Sequence, residues 1–353
     1  MKKRTPARIS LQPGYPTLHR RKGAGTAFAV LTALVLCAFS SCTKKSVWHT
    51  DLAVAEGKAA EENKHIFAFF SGDDWDGRSL SFRKSVIDSE TFASEIDPQY
   101  ILLNIDSSQT DDAKAVTATE SGAQDAETKR FLEKYKNKQA LLQTYNVQEY
   151  PAVYLLSKEG YVLAALTIDD SLADEGSFFA ALHSLSSETE RFGSLIAAVS
   201  ERSGVAKARA IDELYEATDV RFQQPLFPLV REFITLDGQN ETGLVGKYEV
   251  IAADREVLEM LPSVRAEDAI KPYLSVCENG HLDNAQKQNL YYTAAYTLSV
   301  LGSSDFIRMH DLLSKSYMAM PDSEHAADIK MMMEKTLAMH TIVATASEDN
   351  GAE

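Results

Sequence analysis

The sequence predicts an α/β domain over residues 64–186 followed by an all-α helical region over residues 187–346. Three features make that division. Short continuous apolar runs, Ile66-Phe67-Ala68-Phe69-Phe70, Tyr100 to Ile105 and Ala152 to Leu156, alternate with stretches of helical period, as the strands of a sheet buried on both faces do. Beyond Ser187 the chain reads as helix throughout, with apolar residues returning at three- and four-residue steps. Ahead of both lies a leader that is first basic, then apolar, and ends in small residues and a cysteine.

The leader comes first. Lys2, Lys3, Arg4, Arg8, Arg20, Arg21 and Lys22 precede an uncharged run from Gly23 to Phe39, which closes on Phe39-Ser40-Ser41-Cys42. That arrangement resembles a bacterial lipoprotein signal in which Phe39 replaces the usual leucine. The resemblance implies removal of residues 1–41, a lipid on Cys42, and an exported protein anchored to a bacterial membrane on its periplasmic or surface side. A plain secretory signal and a single membrane anchor are the alternatives. The apolar run is shorter than the ~20 residues a spanning helix needs, which disfavours the anchor. Residues 42–63 then read as a tether, containing Trp48, and a leading helix.

In the α/β segment the run at Ile66 ends on Ser71-Gly72, as a buried strand entering a loop does. Leu80, Phe82, Val86 and Ile87 follow at helical spacing, Asp88-Ser89 before Phe92 marks a break and a second short helix, and Tyr100 to Ile105 is a strand closed by Asp106. A polar stretch from about 107 to 137 is expected to form a surface loop with some added helix. Gln139 to Val147 ends a helix, Tyr150-Pro151 follows, and Ala152 to Leu156 and Tyr161 to Ile168 make a hairpin across Lys158-Glu159-Gly160. Ser177 to Leu185 closes the unit as an amphipathic helix.

This order, with Phe70-Ser71-Gly72-Asp73-Asp74-Trp75, then Asn137-Lys138, Leu141, Tyr145, Val147 and Pro151, resembles the thioredoxin-like thiol reductases. Members of that family carry W-C-x-x-C where this chain reads Trp75-Asp76-Gly77-Arg78-Ser79, and they keep a cis-proline at the place of Pro151. The resemblance implies a thioredoxin fold whose two redox positions are Asp76 and Ser79. Neither a carboxylate nor a hydroxyl replaces sulfur in disulfide exchange. The chain has only Cys37, Cys42 and Cys277, so the α/β block holds no cysteine pair. Asp76 has a structural role open to it, capping the helix that follows.

Other chemistry finds little support. Asp73, Asp74 and Asp76 before Gly77 hint at a calcium loop, but its first and twelfth ligand positions would be Gly72 and Arg83. His281, His310, His325 and His340 lack metal spacing, and Met331-Met332-Met333 reads as helix packing. No phosphate loop or dinucleotide fingerprint occurs, so no metal and no cofactor is implied. Cys277 reads as a small buried residue.

Charge narrows the partners. With 36 basic and 51 acidic residues the chain carries −15; the leader holds seven of the basic residues and no acid, which leaves the body at −22. A body so acidic excludes nucleic acid and anionic lipid as surface partners, and membrane contact is expected through the lipid alone.

In the helical region Leu195, Val199, Ile211, Leu214, Tyr215, Leu226, Leu229, Val230 and Phe233 give the period, and Pro225, Pro228, Pro262, Pro272 and Pro321 punctuate it. Helix pairs follow, as a degenerate repeat or an irregular bundle; the tetratricopeptide pattern does not register on Leu290 to Pro321. Residues 347–353 are expected to be disordered.

The functional expectation is a redox-inactive envelope lipoprotein that binds or scaffolds a polypeptide partner through a groove formed by Trp75, Tyr150 and Pro151. An accessory to thiol-disulfide exchange working through Cys277, and a purely structural lipoprotein, are the alternatives.

Overall fold

The computed structural model describes residues 46–122, 125–261 and 264–349. The apolar run at Phe67 is strand β2 (His65–Ser71), with β3 (Tyr100–Asp106) parallel on one side and β4 (Ala152–Leu156) antiparallel on the other. Strand β5 (Val162–Thr167) continues beyond β4, and the two-residue β1 (Trp48–His49) lies outside β3, giving the order β1-β3-β2-β4-β5. Strand β2 is apolar at every central position because both its faces are covered. Phe67 and Phe69 enter one core with Leu102, Val153 and Leu155; Ile66, Ala68 and Phe70 enter the other with Ile101, Leu103 and Tyr154.

Helix α1 (Leu52–Glu62) opens on Asp51, which accepts from the Val54 N–H at 3.2 Å, and buries Ala55 and Ala59 on the second face. The first face is covered by α2 (Gly77–Phe82), which runs into a π-helical turn, by α3 (Glu90–Glu95) and by α6 (Glu175–Ser184). The expected α/β domain is present, and its sheet is mixed, with helices on both faces.

Three local expectations change. Trp48 does not lie in a free tether: β1 pairs it with Leu102, and its indole stacks on Phe92 with ring centroids 5.9 Å apart. The polar stretch after Asp106 is a helical hairpin of α4 (Gln109–Ser121) and α5 (Ala126–Thr144). Its composition reflects exposure, since Ala115 and Leu142 are the residues it buries. At the other end the last helix, α15 (Ala326–Asp349), runs through Ser347 to Asp349, and Asn350 to Glu353 lie outside the described residues with the leader, Cys37 and Cys42.

Beyond α6 the chain is helical: α7 (Ser186–Glu201), α8 (Gly204–Ala217), α9 (Phe227–Leu236), α10 (Val245–Met260), α11 (Ala266–Ala269), α12 (Lys271–Asn279), α13 (Asn284–Val300) and α14 (Phe306–Ala319) precede α15. Helices α6 and α7 meet at Leu185 without a linker. The core that holds Phe67 runs on through Phe178, Phe192, Ile211 and Phe233 to Tyr248. Position 187 therefore marks a change of architecture and no break in packing. A separate cluster gathers Cys277, Leu290, Ala294, Leu298, Leu312 and Ile329 from α12 to α15.

His65, at the start of β2, supplies a pH test. Its Nδ1 is buried without a hydrogen-bond partner, and burial holds the imidazole below its ordinary value, against Glu159 and together with Lys158. A depressed histidine resists charging, so folding stability should be full above pH ~6.5 and decline as the pH falls through that value toward the folded-state one. Denaturant midpoints measured from pH 8 to 5 should show this slope, and His65→Gln should flatten it.

Candidate functional site

The site forms where β2 ends. After Ser71 the chain turns at Gly72, whose carbonyl accepts from the N–H groups of Trp75 at 3.1 Å and Asp76 at 2.7 Å, and then enters α2. Asp76 is the capping residue the sequence suggested: its Oδ2 accepts from the Ser79 N–H at 3.0 Å. The same oxygen accepts from the Ser79 hydroxyl at 2.7 Å, and Ser79 Oγ accepts in turn from the Gly72 N–H at 3.1 Å. Ser79 is fully buried. The two residues thus close a ring of hydrogen bonds that fixes the turn, with no imidazole in it to draw off the hydroxyl proton.

The three acidic neighbours of the turn have separate partners. Asp73 pairs with Arg83 at 2.7 Å, and that guanidinium also donates to Asn104 at 3.1 Å. Asp74 caps α4, accepting from Ser108 Oγ at 2.7 Å, the Gln109 N–H at 3.1 Å and the Thr110 N–H at 2.9 Å. Those bonds, led by Thr110 and Ser108, hold its carboxyl well below the usual range. Asp106, at the end of β3, is pushed up by burial while accepting from the Asp73 N–H at 2.9 Å. This arrangement places Asp73 on a cation and Asp74 on a helix start.

Trp75 stands beside this network. Its indole is 44% exposed, lies over Gly72, and donates through Nε1 to the Ser107 carbonyl at 2.5 Å. A Cβ at Gly72 would fall 2.6 Å from the indole, so only glycine leaves room for the ring in this pose. Tyr150 meets Trp75 edge to face at 5.7 Å, and burial raises its phenol despite a hydrogen bond with Ser107. The Tyr150–Pro151 bond is cis, and the Pro151 carbonyl accepts from the Ile168 N–H at 3.0 Å. Trp75, Tyr150 and Pro151, distant in sequence, are thereby brought together.

Sequence reasoning missed the wall beside them. The Ser107 carbonyl and the first turn of α4 line one flank of Trp75, and α5 locks α4 there through Lys138 to Asp111 at 2.9 Å and Tyr135 to Asp112 at 3.0 Å. The signal was present. Ser108 precedes Asp111 at capping distance and accepts its N–H at 3.2 Å, and Asp125 does the same for Thr128 at 2.8 Å.

Cys277 is remote from this site, on α12. It is buried, and burial pushes its thiol up to about 11. Among the described residues no group of histidine, cysteine and carboxylate side chains is placed to hold a metal ion, and no helix is long and apolar enough to cross a membrane.

Comparison with known proteins agrees with the fold. Residues 52–167 match the family model of a thioredoxin-like domain, and residues 244–342 match that of an uncharacterised protein C-terminal domain. The chain is thus a thioredoxin-fold protein with a helical C-terminal region. It is similar to an uncharacterised protein of Treponema pallidum (strain Nichols), 24% identical over 200 residues, which are 56% of this chain and 65% of that one. It is also similar to a thioredoxin-related protein, DsbJ, of Chlamydia pneumoniae, 30% identical over 60 residues, 17% of each chain. The matches therefore span less than two thirds of either relative. Among solved structures, a DsbH oxidoreductase is similar at 19% identity and a TM-score of 0.31, over 39% of this chain and 83% of that one.

Proposed function

We propose that this chain is an exported lipoprotein whose thioredoxin-fold domain binds an extended polypeptide and performs no disulfide exchange. One observation carries the reading. The positions that resemble the family's cysteines, Asp76 and Ser79, are spent on each other through a 2.7 Å hydrogen bond, while Trp75 next to them keeps its face open beside Tyr150 and Pro151. A surface that keeps its aromatic platform without its nucleophile suits recognition by contact. The thioredoxin-related protein among the relatives and the match of residues 52–167 to a thioredoxin-like domain support a common origin for the domain and leave its partner open.

Redox work through Cys277 is disfavoured, because attack requires thiolate and a thiol near 11 supplies almost none at neutral pH. The purified chain should therefore not accelerate the reduction of insulin disulfides by dithiothreitol above the uncatalysed rate. Turnover persisting in Cys277→Ser would contradict the redox-silent reading outright.

The anchor rests on the leader and is tested separately. If Cys42 carries lipid, the protein should enter the detergent phase on phase separation, and Cys42→Ala should move it to the aqueous phase or leave the leader attached. Unchanged partitioning of that variant, with the leader removed, would rule out lipidation while leaving the groove untouched.

A further inference from the structure

We propose that two copies of this chain associate through the outer face of α15, paired antiparallel about Ala338. Helix α15 packs through one side: Ile329 is buried in the cluster that holds Leu312 of α14, Met332 and Met333 pack against that cluster, and Thr336 is buried in line with them. It has 24 residues against the 14 of α14, to which a short turn joins it antiparallel. Its last turns therefore run about 15 Å past the start of α14.

A stack of helices that meets water at its end carries polar residues on the outermost face. The second half of α15 does not. From Thr336 to Ser347 the chain has no Asp, Glu, Lys or Arg. At about 100° per residue, Leu337, Ala338, Met339, Thr341, Ile342 and Thr345 cover an arc of about 200°, and all six are exposed. Met331, Leu337, Met339 and Ile342 are each 45–60% exposed, which leaves large apolar side chains in water along the length of one helix.

The order of residues on that face selects its occupant. Met331, Lys335, Ala338, Ile342 and Thr345 follow one another at alternate four- and three-residue steps, the spacing of a seam between two helices. Turned antiparallel about Ala338, the stripe matches itself: Met331 lies against Thr345 of the second copy and Lys335 against Ile342, with alanine at the axis where the helices come closest. The Lys335 stem can cover that isoleucine while its ammonium stays in water. A parallel pair would set Lys335 on Lys335, so charge favours the antiparallel one. No carboxylate stands in the stripe, Glu334 lying on its flank, whereas the body as a whole carries −22. Two such bodies repel wherever their acidic surfaces meet, and this face is where they can touch.

Sedimentation velocity of the full chain in a density-matched detergent, from about 1 to 100 μM, tests this. The expected result is a reversible monomer–dimer equilibrium that tightens as salt is raised, because screening relieves the repulsion between the two acidic bodies. Ala338→Glu sets two carboxylates face to face at the axis and should weaken the dimer about tenfold or more. Leu258→Glu, on an exposed position of α10 outside the stripe, should leave it unchanged. The register has its own readout. Met331→Cys and Thr345→Cys proteins, mixed under a mild oxidant, should form a disulfide-linked pair above the background of the unaltered chain, and neither should do so alone, since the antiparallel pairing brings each to the other and away from its own counterpart. A monomer throughout the concentration range, a dimer untouched by Ala338→Glu, or absence of the mixed cross-link would overturn the proposal. So would a monomer that binds phosphatidylcholine vesicles through this face, which would make it a membrane contact.

Discussion

Phe67→Ala should lower the folding stability of the protein by about 3–5 kcal/mol, the usual cost of removing a buried phenylalanine ring. Phe67 is fully buried and touches rings on every side: Phe92 at 5.3 Å, and Trp48, Tyr100 and Phe178 each at 6.3 Å. A cavity there cannot collapse easily, because its walls come from β1, α3, β3 and α6 at once. The larger consequence concerns the helical region. The core around Phe67 continues through Phe178 and Phe192 to Tyr248, so the loss should be felt as far as α10. Denaturation followed by circular dichroism at a helical wavelength and by tryptophan fluorescence should shift together in the variant. A fluorescence transition that moves while the helical signal from α7 to α10 stays in place would show that two independent domains exist after all.

That single core was only partly legible in the sequence. The strand at Phe67 could be read directly, because a sheet covered on both faces removes the usual alternation and leaves a continuous apolar run. The helices beyond Ser187 could be read from their period, but nothing in a period says which neighbour a helix packs on. Trp48 escaped because a two-residue strand has no periodicity; only the pairing with Leu102 makes it one. The α4–α5 hairpin was read only in part, at the end of α5 from Gln139 and as some added helix, since a helix that buries almost nothing offers no apolar stripe, and its caps at Ser108 and Asp125 were outweighed by its polar composition. At the candidate site, the family resemblance brought Trp75 and Pro151 together before any coordinate did. The contact that fixes the indole could not be read that way, because its acceptor is the backbone carbonyl of Ser107, which any residue would carry.

That contact sharpens what Trp75→Ala should do. If the indole is a recognition platform, its removal should weaken capture of an extended polypeptide by about 1–3 kcal/mol, the range for an aromatic anchor at an interface. Reduced and carbamidomethylated lysozyme is a suitable probe, being unfolded and basic against an acidic body. Stability should fall by only about 1 kcal/mol, since Trp75 is 44% exposed and its buried contribution is one hydrogen bond to Ser107 and one edge contact to Tyr150. Trp48 cannot serve as the control, because it stacks in the core on Phe92. Leu258→Ala, an exposed apolar residue of α10, can. Gly72→Ala gives the complementary measurement: a methyl 2.6 Å from the ring must displace it while leaving the tryptophan present, so binding should drop as in Trp75→Ala. Loss of affinity in both variants, with Leu258→Ala unaffected, would establish that the fixed pose of the indole matters and not merely its hydrophobicity. Unfolding by Trp75→Ala, or full affinity in Gly72→Ala, would instead make Trp75 a strut that holds the β3–α4 junction, and polypeptide recognition would then have to be sought away from the Asp76 turn.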